Sequence, residues 1–156
     1  MALNLNMFKM SNQVGVVMNP AANVIQAVVL PTLATTSYYS AGLVVSYGTD
    51  SGDMPVIRQV SSGCGIGIIV FNAKTDTFYR NQIVGVALDG SIITCAAGTG
   101  ITRNDIVGYG SVTSNQPTIQ TIASGSGIGI ALDNAAALGD IIRVQIKAGA
   151  RFSQVF

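Results

Sequence analysis

Three groups of residues in this chain have the types and spacing that chemistry would need. Asp50-Ser51-Gly52 has the short Asp-Ser-Gly form used by aspartic proteases, and one copy per subunit would pair across a dimer. Two glycine-alternating runs, Gly63-Cys-Gly-Ile-Gly67 and Gly125-Ser-Gly-Ile-Gly129, invite comparison with phosphate-cradling loops. Cys64 and Cys95 are the two thiols. Each weighs less than it first suggests. The dinucleotide fingerprint needs Gly-x-Gly-x-x-Gly leaving a strand and opening a helix. Here the spacing is Gly-x-Gly-x-Gly, the residues after each run read as strand, and neither run leads into a Lys-Ser/Thr pair. Asp50 stands in Gly48-Thr-Asp-Ser-Gly-Asp53, with Pro55 close behind, which has the composition of an exposed turn. The pairs Asp133/Asp140 and Asp50/Asp53 offer oxygens, but the twelve-residue calcium ladder ending in Glu is missing. Turn capping is the expected role of these carboxylates.

Catalysis is disfavoured for a further reason. The chain has no His and no Glu, the side chains most used for proton transfer near neutral pH. Ser-His-Asp and Cys-His triads and His-ligated zinc are excluded, and two cysteines cannot make a four-thiolate site. The expectation is a protein that is not an enzyme, with no cofactor and no metal. An aspartyl hydrolase using Asp50 stands as a remote alternative.

The elements that must position any site are β-strands. Of 156 residues 15 are charged, where an average domain of this size carries about 39. Val, Ile, Thr and 18 Gly dominate what remains, a balance that favours strands over helices. From Val56 onward short apolar runs alternate with turns: 56–60, 65–71, 77–80, 83–88, 91–95, 106–112, 118–122, 127–132 and 141–148. Asp89-Gly90 between two of them is a tight-turn dipeptide and predicts a hairpin over 83–95. In the last run Ile142, Val144, Ile146 and Ala148 share a face opposite Arg143, Gln145 and Lys147. Asp133-Asn-Ala-Ala-Ala-Leu138, stopped by Gly139, predicts one short helical connector. The fold class is therefore all-β: a small Gly-rich β-barrel or β-sandwich with an extended N-terminal arm. Ser62-Gly-Cys-Gly-Ile-Gly-Ile68 also echoes Ser124-Gly-Ser-Gly-Ile-Gly-Ile130. Structural duplication, a pair of similar hairpins and shared strand composition all account for the echo.

Charge is unevenly placed. Residues 10–49 carry no charged side chain, so this stretch is either central to the core or covered by other subunits. Residues 1–50 accordingly read as an arm and uncharged strands packed on the barrel or on neighbours, and 51–156 as the β-barrel or sandwich domain. Met7, Phe8 and Met10 make the arm apolar and adaptable. Gly125, Gly127 and Gly129 leave one strand face as bare backbone, which suits a barrel bend or the close approach of another chain. Phe152 and Phe156 would be poorly placed in a frayed tail. These eight residues are the candidate capsid or oligomer contacts. The eight basic residues form no cluster, so neither a nucleic acid nor a membrane surface is indicated as a partner. The first positive charge is Lys9, with no apolar run beside it, so a secretion signal is not expected and the cysteines are expected reduced.

A resemblance adds to this. Gly129-Ile-Ala131, Gly139-Asp140 and Ile142, Val144 and Ile146, with Ile83–Leu88 upstream, resemble the capsid decoration (cement) proteins of tailed bacteriophages. Those sequences carry a Gly-Val/Ile-Ala strand, an Ala-rich stretch, a Gly-Asp/Glu turn and a closing amphipathic strand. The resemblance covers the C-terminal half to two-thirds of the chain and rests on short motifs of common residues. It implies a non-catalytic virion protein, made in the host cytoplasm, that binds the major capsid protein lattice at the capsid surface, commonly as a homotrimer. In that reading the barrel trimerises and the arm lies across capsomer junctions. The alternative is a receptor- or glycan-binding domain of a virion or surface fibre, with Tyr38, Tyr39, Tyr47, Tyr79 and Tyr109 as stacking surfaces.

Overall fold

The computed structural model describes residues 13–19, 22–49, 53–60, 65–123 and 126–147. Twelve strands and no helix occupy them: β1 (Val24–Val29), β2 (Tyr39–Ser40), β3 (Val44–Tyr47), β4 (Val56–Gln59), β5 (Gly67–Ile69), β6 (Thr77–Phe78), β7 (Ile83–Ala87), β8 (Ile92–Ala97), β9 (Ile106–Thr113), β10 (Gln116–Thr121), β11 (Gly129–Ala131) and β12 (Ile141–Ile146). They build two closed five-stranded barrels, β1-β4-β3-β5-β7 and β10-β8-β12-β11-β9, plus the small sheet β2-β6. Each barrel has one parallel pair, β1 with β4 and β8 with β10, and is otherwise antiparallel.

The barrels are copies of one another, which decides the meaning of the internal echo. Taken in chain order, β1, β3, β4, β5 and β7 have the same partners as β8, β9, β10, β11 and β12. The register agrees residue for residue. Val44 opposes Ile68 as Ile106 opposes Ile130, and Val28 lies beside Val56 as Ala96 lies beside Thr118. Val86 opposes Ile69 as Val144 opposes Ala131. The interiors follow the same rule, since alternate side chains of a strand share a face. Ala27, Val29, Val45, Ile57, Ile69, Val84 and Val86 fill the first barrel. Their counterparts Cys95, Ala97, Val107, Ile119, Ala131, Ile142 and Val144 fill the second. Longer connections distinguish the first copy: the β1–β3 and β5–β7 links carry β2 and β6, and these pair with each other as a cap.

Two local expectations fail for physical reasons. Residues 83–95 are not a hairpin. Gly90 does adopt a positive φ of 90°, but β7 and β8 part into different barrels, so the passage from one barrel to the next lies at residues 88–91. Residues 133–138 hold no helix. Ala135 exchanges backbone hydrogen bonds with Ile101 at 2.8 and 2.9 Å, and Asp140 Oδ2 accepts from the Ala136 and Ala137 N–H groups at 2.9 and 3.0 Å. A bridge to another segment has taken the groups a helix would have used. β1 to β3, within the charge-free stretch, are staves and cap of the first barrel.

The barrels share one interior boundary. The larger core cluster joins Val44, Val60, Ile68 and Ala87 of the first barrel to the lining of the second. Tyr109 packs against both clusters. Residues 15–18 run along β8 after a turn at 13–15, with Val17 bridged to Ile93. The Gly15 N–H donates to Thr94 O at 2.8 Å while the Phe71 N–H donates to Gly15 O at 2.8 Å, tying both barrels to this segment.

Candidate functional site

Gln59 stands at the seam between the barrels and organises a cleft there. Its backbone N–H donates to Tyr39 Oη at 3.0 Å, and its Nε2 donates to Tyr109 Oη at 2.8 Å. The two tyrosines thus hold the barrels in register across an uncharged bridge. Above it opens a cleft of about 340 Å³, walled by Leu33, Ser37, Tyr38, Ser40 and Leu43 on one side and Val112, Asn115 and Pro117 on the other. The second wall is the β9–β10 hairpin, whose turn residues Ser114 and Asn115 have φ of 50° and 64°. Positive φ at both central positions marks the turn type that matches strand twist. Among the described residues the cleft lining contains no carboxylate, thiol or amine, so it can hold a neutral polar group, and its hydroxyls are those of Ser37, Tyr38, Tyr39 and Ser40.

The tyrosines divide by role. Tyr38 precedes β2 and Tyr39 begins it, and both line the cleft. Tyr39 is buried, while Tyr38 meets the half-exposed Tyr79 ring at 5.8 Å between centroids, tilted by 59°. This pair and Tyr47 are the aromatic surfaces that remain for a ligand; Tyr39 and Tyr109 are engaged with Gln59.

The groups that could do chemistry are otherwise committed. Cys95 is a free thiol inside the second barrel, and burial pushes its pKa up to about 12. A thiol kept protonated is neither nucleophile nor metal ligand. Asp133 binds Arg143 at 2.7 Å and accepts from its backbone N–H at 2.9 Å, bracing the turn before β12. The Arg143 guanidinium holds the Asp133 carboxyl below its ordinary range. Asp105 caps its own turn through the Thr102 N–H and accepts from Thr121 Oγ1, both at 2.9 Å. Among the described residues no three His, Cys, Asp or Glu side chains come together in a way that would hold a metal ion. Asp53 is exposed in a bend; Asp50 and Cys64 lie outside the described residues.

Of the eight residues singled out as contacts, Met7, Phe8, Met10, Gly125, Phe152 and Phe156 lie outside the described residues. Gly127 and Gly129 are buried. A Cβ on Gly129 would strike Gln145 O, and one on Gly127 would strike Val107 O. Gly67 and Gly65 stand in the same relation to Ala87 O and Val45 O in the first barrel. The close approach that these glycines permit is therefore between adjacent staves of one small barrel, a sharp bend that only a missing side chain allows.

The outer face of β1 and β7 is the apolar surface that sequence reasoning did not localise. Val24 is 46% exposed and Ile83 55%, with half-buried Val28 directly opposite Ile83 and the exposed Gln26 between Val24 and Val28, and none of these carries charge. The signal was present as the charge-free stretch, but its period-two alternation is interrupted by Pro31 and by the short cap strand.

No protein-family model matches the chain, and no curated protein matches it. A solved structure does. The N base of the head fiber gp8.5 of bacteriophage phi29 superposes with a TM-score of 0.54 at 14% identity, covering 83% of this chain and 98% of that one. The likeness is one of fold. It extends over nearly all of the fiber base and over most of this chain, while few residues are identical.

Proposed function

We propose that this chain is a structural protein of a tailed-phage virion that attaches to the outside of the head, as a decoration (cement) protein, acting as a homotrimer and without catalysis. One observation carries the reading: the fold is shared with a protein that forms the base of a phage head fiber. The surface supports it. The described charges sit mainly in turns, apolar residues stand on the outer staves, and the cleft between the barrels is neutral. Such a surface suits a lattice in which many modest contacts act together. The expected partners are the major capsid protein and further copies of this chain.

The second reading, a fibre domain that binds a receptor or glycan, is favoured by the Tyr38–Tyr79 pair, in which Tyr38 lines the cleft and Tyr79 is exposed. Glycan-array binding by the purified chain separates the two, since a receptor-binding domain binds there and a decoration protein does not. Antibody raised against the purified chain and applied to virions of the phage that encodes it tests the placement on the head. Gold label over the head, lost when the chain is stripped and regained on re-addition, is the expected result. Label at the tail tip, or none on the particle, overturns the proposal.

A further inference from the structure

Comparing the two barrels shows an added segment in the second that, among the described residues, the first lacks. In the second barrel, β8 pairs with β12 along one edge and with β10 only at Ala96 and Ala97 along the other. The rest of that second edge is filled by residues 14–18. The Gly15 N–H donates to Thr94 O and the Met18 N–H to Ile92 O, both at 2.8 Å, and the Thr94 N–H donates to Val16 O at 3.0 Å. Under this cover Ile93 is fully buried and Thr94 is 2% exposed.

β1 is the counterpart of β8, and among the described residues its edge is open at the same place. β1 pairs with β7 through 24–28 and with β4 only at Val28 and Val29. The Leu88 N–H bonds Asn23 O and the Val29 N–H bonds Gln82 O, so the odd positions of β1 face β7. Gly85, opposite Gln26, turns its carbonyl to Val70 instead. The N–H and C=O groups of Val24 and Gln26 therefore point to the outer edge, and among the described residues nothing pairs with them. The side chains report the same vacancy: Ile25, the counterpart of Ile93, is only partly buried, and Gln26, the counterpart of Thr94, is exposed. Edges of this kind recruit a strand.

We propose that residues 2–8 of this chain add to the free edge of β1 at Val24–Gln26, as residues 14–18 add to β8. The chain extends twelve residues ahead of Gln13, and Ala2-Leu-Asn-Leu-Asn-Met-Phe8 alternates apolar and polar side chains at the strand period. Like 14–18, the segment is uncharged, as an edge beside Val24 and Ile83 requires. Leu3, Leu5 and Met7 fall on one face and can cover Ile25 as Val17 covers Ile93. This proposal does not depend on the phage reading.

Amide hydrogen exchange resolved at single residues tests it in the full chain. The Val24 and Gln26 amides should exchange roughly 100-fold more slowly than in a chain lacking residues 2–8. In full-length Leu5→Pro, which removes a donor and bends the segment, they should again be fast. The Thr94 amide should stay protected throughout, showing that the barrels are folded. If the protection falls on dilution, a neighbouring copy donates the strand; if it does not, the segment folds back on its own chain. Both results support the occupant named. Fast exchange at Val24 and Gln26 in the unmodified chain overturns the proposal. So does protection that survives loss of residues 2–8, because another segment or partner then fills the edge.

Discussion

Where Gly129 crosses Gln145 there is no room for a methyl group, and its sequence type alone could not say why. The Gly-x-Gly pattern announces that backbone approaches backbone, but whether the second backbone belongs to this chain or to a neighbour depends on closure of the barrel. Gly129→Ala should cost about 3 kcal/mol through overpacking against a carbonyl that cannot move, lowering Tm by roughly 10 °C for a chain of this size. Gly85→Ala is the contrast, because its Cβ would lie 3.5 Å from Val24 and Val70, ordinary contact distance. Thermal melts of the two variants should differ by most of that interval; equal melting would mean that β11 and β12 do not meet as closely as their register requires. Cys95 gives a pH signature. Its pKa is raised from near 9 to about 12 in the folded chain. Between these values the unfolded chain has lost the proton while the folded chain keeps it. Stability is therefore unaffected below about pH 9 and falls by about 1.4 kcal/mol per unit above it. The stability advantage of the wild type over Cys95→Ala, measured by urea unfolding, should shrink by about 2 kcal/mol between about pH 8 and about pH 10.5. A constant difference would show the thiol to be solvated.

Among the elements, the strands after Val56 were legible because each is a short apolar run closed by turn residues, and every one of those runs falls on a strand of the structure. Their pairing was not. Asp89-Gly90 bends the chain as its composition requires, yet a tight turn looks the same in sequence whether its flanking strands pair or separate. Asp133–Leu138 failed as a helix because Ile101, far off along the chain, competes for the Ala135 backbone. The segment at 13–19 was hidden for another reason: Gly15 followed by Val16 and Val17 leaves no clear alternation, and a side chain on a distant strand holds it in place. Thr94 Oγ1 accepts from the Val16 N–H at 2.9 Å and donates to Gln13 O at 2.7 Å. Thr94→Val keeps the shape and removes both bonds, leaving a part-buried amide unpaired, at a cost of about 2 kcal/mol. Local exchange at Val16 should accelerate with that loss, while amides of β12 should follow only the global change. If Val16 and β12 accelerate equally, the segment is not a separate element and opens only with the barrel beneath it.

At the scale of the molecule, the 62-residue spacing of the two Ser-Gly motifs was the visible trace of a repeated barrel whose other strands share little sequence. β1 and β8 share almost no identities, and only register and interior position relate them. The cleft was less legible still, because Gln59 and Asn115 carry no motif and acquire their role only when the barrels dock. That docking predicts how the chain unfolds. A duplicated gene product could behave as two independent domains, but here the second barrel's core includes Val44, Val60, Ile68 and Ala87 from the first, with Val17 packed against it. Cutting between β7 and β8 would expose those contacts and remove the segment that covers Ile93. Residues 88–156 expressed alone should therefore lack cooperative unfolding and dispersed amide resonances. The whole chain should unfold in one transition by urea, with Tyr39 in the first unit and Tyr109 in the second, each followed by a ring label in turn, giving coincident midpoints. Two separated midpoints would mean that the shared core contributes little and that the two barrels unfold independently.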